Sequence, residues 1–142
     1  MRDIIFNPNK IKTTILLDLN EVDLYIWEQR KSFQDIQQKL EELISGKDFL
    51  PIPLGKIDEK KYFLHPYIIN KQTGLVDGGH HRSAAYYLTD RKLIGTIFPS
   101  PICDLNQQNP DYPTIKEMII EFQGKDYFLK EFKQLIQKNY LK

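Results

Sequence analysis

The stretch Leu75-Val76-Asp77-Gly78-Gly79-His80-His81-Arg82-Ser83-Ala84-Ala85 decides how the chain is read. A brief apolar strand, Leu75-Val76, runs into two glycines and then into a helix expected over His80 to Leu88, with Ala84 and Ala85 on its close-packing face. Glycine admits positive φ and lets a ligand approach the main chain closely. The first N–H groups of a helix have no intrahelical partner and lie at the positive end of its dipole. A strand–Gly-Gly–helix junction is therefore an anion site before any side chain is counted. Arg82, in the first turn, adds a planar donor fork suited to phosphate, and His80 and His81 add donors, or acceptors when neutral. The expected phosphate-binding residues are Gly78, Gly79, His80, His81, Arg82 and Ser83. The plainer alternative is a tight turn with steric glycines and polar caps. Gly-Gly before a helix is common, but Gly-Gly-His-His-Arg is not.

Other chemistries fit these residues less well. Adjacent helical histidines point about 100° apart, so His80 and His81 cannot share one ion on a regular helix, and His65 could join them only through the fold. No dedicated metal site is expected. A Mg2+ carried in with a nucleotide, near Asp77, is the more natural metal, because that ion needs only one or two carboxylates. Ser83 lies beyond the glycine turn with no G-x-S-x-G elbow, and the Walker pattern is absent. Cys103 has no neighbouring histidine or basic residue in sequence, so an inert thiol is the default.

Working outward, Thr13 to Leu19 (TTILLDL) is a β-branched and aliphatic run suited to a strand. From Ser32 the pattern turns helical. Phe33, Ile36, Leu40, Leu43 and Ile44 recur at three- and four-residue steps, with Ser32 as cap and Gly46 where the helix would stop. Phe49–Ile57 is expected as a strand whose Pro51 and Pro53 place it at an edge or at strand entry. Tyr62–Ile69 is a second strand interrupted by Pro66, and Leu93–Phe98 a third. Residues 99–113 form a proline-rich loop. Helical patterns are then expected over Thr114–Phe122 and Lys125–Asn139, separated by Gly124. Phe128, Leu129, Phe132, Leu135 and Ile136 would form a stripe covering the core, with a dimer contact as the lesser reading. The order strand, helix, strand, strand, helix, strand, helices predicts an α+β domain with a mixed sheet.

The totals bound the function. A chain of 142 residues fits one domain. Twenty basic residues against 19 acidic ones leave no electrostatic footprint of a general nucleic-acid coat protein, although a local DNA-binding patch stays open. The single cysteine excludes an internal disulfide and is typical of the cytosol. The N-terminus lacks the apolar core of a signal peptide, and no apolar run approaches the roughly 18 residues of a membrane span. A soluble, cytoplasmic protein is expected.

Gly78-Gly79-His80-His81-Arg82-Ser83-Ala84-Ala85 resembles the sulfiredoxin signature G-G-C-H-R-x-A-A, with His80 in the place of the catalytic cysteine. It also resembles the G-x-x-R-x-x-A signature of ParB partition proteins through Gly79, Arg82 and Ala85. The D-G-x-H-R form of ParB-like serine kinases fits only with a shifted register. Upstream, Gln29-Arg30-Lys31-Ser32-Phe33, the helix with Lys39-Leu40-Glu41-Glu42-Leu43, and Pro51-Ile52 look like the ParB order P-R-K-x-F, K-L-E-E-L and Q-P-I. The resemblance covers residues 13–98. It implies a single compact ParB/sulfiredoxin-like domain over 1–103, followed by a linker and C-terminal helical extension over 104–142. It also implies a nucleotide ligand (ATP, ADP or CTP), with Arg30 and Lys31 joining the phosphate contacts.

The departures narrow the activity. Without cysteine at 80, sulfiredoxin-type reduction is not expected, and His80 also replaces the glutamate of ParB's G-E-R-R. The tail is too short and too neutral for the DNA-reading and dimerisation regions of a full ParB. The leading expectation is a nucleotide-dependent phosphotransferase or hydrolase. Its catalytic candidates are His80, His81 and Asp77, since an imidazole titrates near working pH without tuning. The rivals are a non-catalytic nucleotide-sensing or DNA-associated ParB-like module and a ParB-like nuclease.

Overall fold

Helix α1 (Phe33–Ile44) forms where the apolar spacing places it. Ser32, in extended conformation, accepts from the Asp35 N–H at 3.4 Å, and Phe33, Ile36, Leu40 and Leu43 are buried along one face. The computed structural model describes residues 4–6, 14–26, 29–47, 49, 51–64, 68–70, 79–97 and 112–139, with backbone only at 4–6, 68–70 and 138–139. The expected strand Leu75-Val76, together with Asp77, Gly78, His65 and Cys103, lies outside the described residues.

The fold is α+β. A five-stranded mixed sheet has the order β2 (Ile15–Leu17), β8 (Leu93–Ile97), β5 (Ile52–Asp58), β6 (Lys61–Leu64), β3 (Asp23–Tyr25). Strands β5 and β8 run parallel, and helix α2 (His80–Leu88) lies between them in the chain. Strands β2–β8 and β5–β6 pair antiparallel, and β3–β6 parallel. A two-stranded parallel pair joins β1 (Ile4–Phe6) to β7 (Ile68–Asn70). Strand β5 is central, yet its prolines do not break it. Pro53 is the second residue of the strand, beside Thr96 of β8, and among the described residues the pairing with β6 starts at Leu54.

The C-terminal region departs from the sequence expectation. Thr114–Phe122 is not a helix. The capping box at Thr114 and Glu117 starts only a single 3₁₀ turn, Ile115–Glu117, after which β9 (Ile119–Phe122) pairs parallel with β4 (Arg30–Ser32). Strand β10 (Lys125–Phe128) closes an antiparallel hairpin onto β9, so the second helix begins later, as α3 (Leu129–Asn139). Ile119, Ile120 and Phe122 are β-branched or aromatic and pack well on a pleated surface; that preference, satisfied by two neighbouring strands, wins over the local helix signal. Phe128 is consequently 43% exposed rather than part of the buried stripe. Leu129, Phe132 and Ile136 are buried, as expected.

This segment is sewn into the body. The Ile26 N–H donates to the Pro113 carbonyl at 2.8 Å, and the Ile119 N–H to the Gln29 carbonyl at 2.7 Å. The Phe132 ring lies 5.2 Å from Phe33, 5.3 Å from Phe122 and 5.9 Å from Tyr127, centroid to centroid. The main core joins Leu24, Ile26, Ile36, Leu40, Ile52, Leu54, Leu64 and Leu88, all fully buried. Among the described residues no helix is long and apolar enough to cross a membrane.

Candidate phosphate-binding site

Helix α2 starts where the glycine allows it to. Gly79 is the cap residue, left-handed at φ 74°, and a Cβ there would stand 2.6 Å from Ile52 Cγ2 on β5. Glycine is therefore required twice, by backbone conformation and by the close approach of the sheet. Gly79→Ala is expected to destabilise the fold by about 1–3 kcal/mol, measurable as a lower denaturation midpoint with unchanged m-value. The first backbone bond of the helix runs from the Ser83 N–H to the Gly79 carbonyl at 2.9 Å. The N–H groups of His80, His81 and Arg82 precede it, at the positive end of the helix.

The structure brings Gly79, His80, His81, Arg82 and Ser83 into this one turn. Their surroundings differ from an open surface cradle. His80 is 4% exposed, Arg82 7% and Ser83 0%, while His81 is half-buried. The first turn of α2 is thus covered by the protein's own residues. Burial of the helix follows from its neighbours. It lies against α1 and α3 and contacts β8, and the Arg91 guanidinium just beyond it donates to the Leu43 carbonyl near the end of α1.

Arg30 and Lys31 sit elsewhere, on β4 of the three-stranded sheet β10–β9–β4. The Arg30 fork, expected to reach phosphate, is taken up by Asp126. Nη1 and Nη2 each donate to one carboxylate oxygen at 2.8 Å, and Nη2 also reaches Glu121 at 3.3 Å. These bonds, Asp126 first, raise its pKa further above the ordinary arginine value. Lys31 is half-buried beside it. Asp77 and Gly78 lie outside the described residues. Among the described residues no three His, Cys, Asp or Glu side chains gather to hold a metal ion.

The chain matches no protein-family model, no curated protein and no solved structure. Residue types able to donate to an oxyanion, namely a guanidinium, two imidazoles and a hydroxyl, share this turn. Among the described residues the turn holds no carboxylate.

Sequence reasoning missed a second polar cluster, beyond the opposite end of α2. Asp90 accepts from Lys133 on α3, from Asn20 at 3.1 Å and from Gln137 at 2.8 Å. Lys133 Nζ also lies 4.4 Å from the centre of the Tyr87 ring. These partners come from distant segments, so no local motif announces them. The available signal was Lys133 itself, a charge placed between Leu129 and Ile136 on an apolar stripe. The Lys133 ammonium, helped by Asn20 and Gln137 and opposed by burial, holds the Asp90 carboxyl below its ordinary value. A depressed carboxylate stabilises the fold above its unfolded-state pKa and loses that contribution as pH falls through the folded-state value. Asp90 is half exposed, so Asp90→Asn is expected to cost only about 0.5–1 kcal/mol at neutral pH. The difference from wild type should shrink as pH drops below about 4, which urea denaturation at a series of pH values would measure.

Proposed function

We propose that this protein is a cytosolic, ParB/sulfiredoxin-like nucleotide-binding protein that grips phosphate at the first turn of α2 and uses it in phosphoryl transfer or nucleotide hydrolysis. The observation that carries this reading is the glycine-capped start of α2, where Arg82 and Ser83 are buried in the same turn as the leading N–H groups. Phosphate oxygens would accept from those N–H groups and from the guanidinium, a charge-assisted pairing. His80 is the candidate proton acceptor, because it belongs to the turn that would hold the phosphate. A Mg2+ bound with the nucleotide would neutralise phosphate charge, and the candidate side chain for it is Asp77. The cytosolic setting is supported by the single cysteine.

A second reading, nucleotide binding without turnover, is favoured by one observation. Phosphoryl transfer gains from a second cation on the developing charge, and Arg30, the candidate for that role, is already held by Asp126 and Glu121.

The test is a thermal-shift panel of ATP, ADP, CTP and inorganic phosphate, each with and without Mg2+. A ligand at a hundred times its Kd stabilises the folded state by about 2.7 kcal/mol, so at least one nucleotide should raise the melting temperature by several degrees. No shift with any of them at millimolar concentration would end the proposal. Phosphate release assays on the stabilising nucleotides then separate turnover from simple binding.

A further inference from the structure

A pocket of about 330 Å³, half open to solvent, lies where the β9–β10 hairpin meets α1 and α3. Four aromatic rings line it: Phe33 from α1, Phe122 from β9, Tyr127 from β10 and Phe132 from α3. Leu135 and Ile136 complete the wall. No lining residue carries a charge, so a charged ligand would lose hydration here without a counter-charge to offset it. A neutral one would not. The volume stands at the lower end of the roughly 300–1,000 Å³ of small-molecule sites, which suits one ring system rather than a long chain. The rings meet edge to face, at 82° for Phe33 with Phe122 and 64° for Phe122 with Phe132. A guest ring can join such a cluster by the same contacts, which favours an aromatic guest over an aliphatic one.

The turn beside the pocket supplies a second, separate observation. Gln123 and Gly124 both have positive φ, 52° and 77°, and they link the paired residues Phe122 and Lys125. A two-residue hairpin turn of this kind favours Asn-Gly or Gly-Gly. Asparagine tolerates the left-handed conformation because its short side chain bonds to nearby main chain, an advantage that glutamine lacks. Gln123 therefore carries a backbone cost that asparagine would reduce, and such costs gather at ligand clamps. Gln123 also lines the pocket, where it and Tyr127 are the residues with polar side chains. The extra methylene lets its amide, donor and acceptor at once, reach a guest. We propose that this pocket binds a small, neutral aromatic heterocycle, seated among the four rings and hydrogen-bonded at its polar edge by the Gln123 amide. None of the lining residues belongs to α2, so the inference is independent of the phosphate-binding reading.

The probe is indole, a neutral fused ring with one N–H, and 1-methylindole is the match that lacks it. The experiment follows the ¹⁵N–¹H amide spectrum of the full chain during titration with each, in wild type and in Gln123→Asn, alongside melting curves of both proteins without ligand. Indole should give saturable shifts at the amides of Phe122, Gln123, Tyr127, Leu135 and Ile136 and leave those of Gly79 to Ser83 unmoved. Gln123→Asn should melt a few degrees higher, because asparagine suits the turn, and bind indole about 2- to 10-fold more weakly, the range for one neutral hydrogen bond. The two proteins should bind 1-methylindole alike. Absence of saturable shifts at millimolar indole, or shifts clustered elsewhere, would overturn the site. Equal affinity of both proteins for indole, or a variant that melts no higher than wild type, would overturn the part given to Gln123. Shifts at the same amides on raising protein concentration alone would assign the pocket to a second copy of the chain and overturn the proposal.

Discussion

Replacing His80 with alanine is expected to slow nucleotide turnover by about two to four orders of magnitude, the usual range for removing a general acid or base. His80 is the first residue of α2 and is buried, in the turn proposed to hold the phosphate. Binding should fall far less, because main-chain N–H groups and Arg82 supply the phosphate contacts. His81 provides an internal control. It follows His80 by about 100° of helix rotation and is half-buried rather than buried, so His81→Ala should leave most of the turnover intact. Phosphate release under saturating nucleotide, with affinity measured separately, distinguishes the outcomes. Equal losses of affinity in both variants, with no turnover in the wild type, would favour the non-catalytic reading.

The largest effect on stability is expected at Phe132. Its ring is 1% exposed and stands at the centre of an aromatic cluster, with Phe33 from α1, Phe122 from β9 and Tyr127 from β10 around it. Truncating such a ring removes its transfer free energy and leaves a cavity. Phe132→Ala is expected to cost about 3–5 kcal/mol in urea denaturation. A pocket of about 330 Å³, half open to solvent, is lined by Phe132 together with Phe33, Phe122 and Tyr127. Phe128→Ala, at an exposed position on the same segment, should change stability by about 0.5 kcal/mol or less. Similar effects at the two positions would mean that α3 is not seated on the body as described.

The elements that the sequence made legible are those whose signals are local. The cap at Ser32, the apolar stripe of α1 and the Gly79 start of α2 all fall where residue spacing and backbone chemistry place them. Strands β3 and β4 were not legible. Each has three residues, too short for an alternation to show, and β4 is a strand only because Ile119 to Glu121 pair with it from far along the chain. The β9–β10 hairpin was misread because its turn is Gln123-Gly124, with Gln123 itself at φ 52°, and so lacks the Asn-Gly signal that marks such turns. The same misreading hid the partners of Arg30. Glu121 and Asp126 belong to a segment expected to be helical, and only the hairpin brings them beside β4. For the site, the composition of the first turn was legible, whereas its enclosure was not, because burial depends on how α1 and α3 pack against α2.

The most direct test of phosphate binding at α2 is an amide ¹⁵N–¹H spectrum of the full chain titrated with ATP, and separately with inorganic phosphate. The expected result is saturable shifts concentrated at the main-chain N–H groups of Gly79, His80, His81, Arg82 and Ser83, with the Arg30–Ser32 strand little changed. Saturable shifts that leave these five amides unmoved and cluster elsewhere would contradict the site, and a spectrum unchanged by either ligand would contradict phosphate binding altogether.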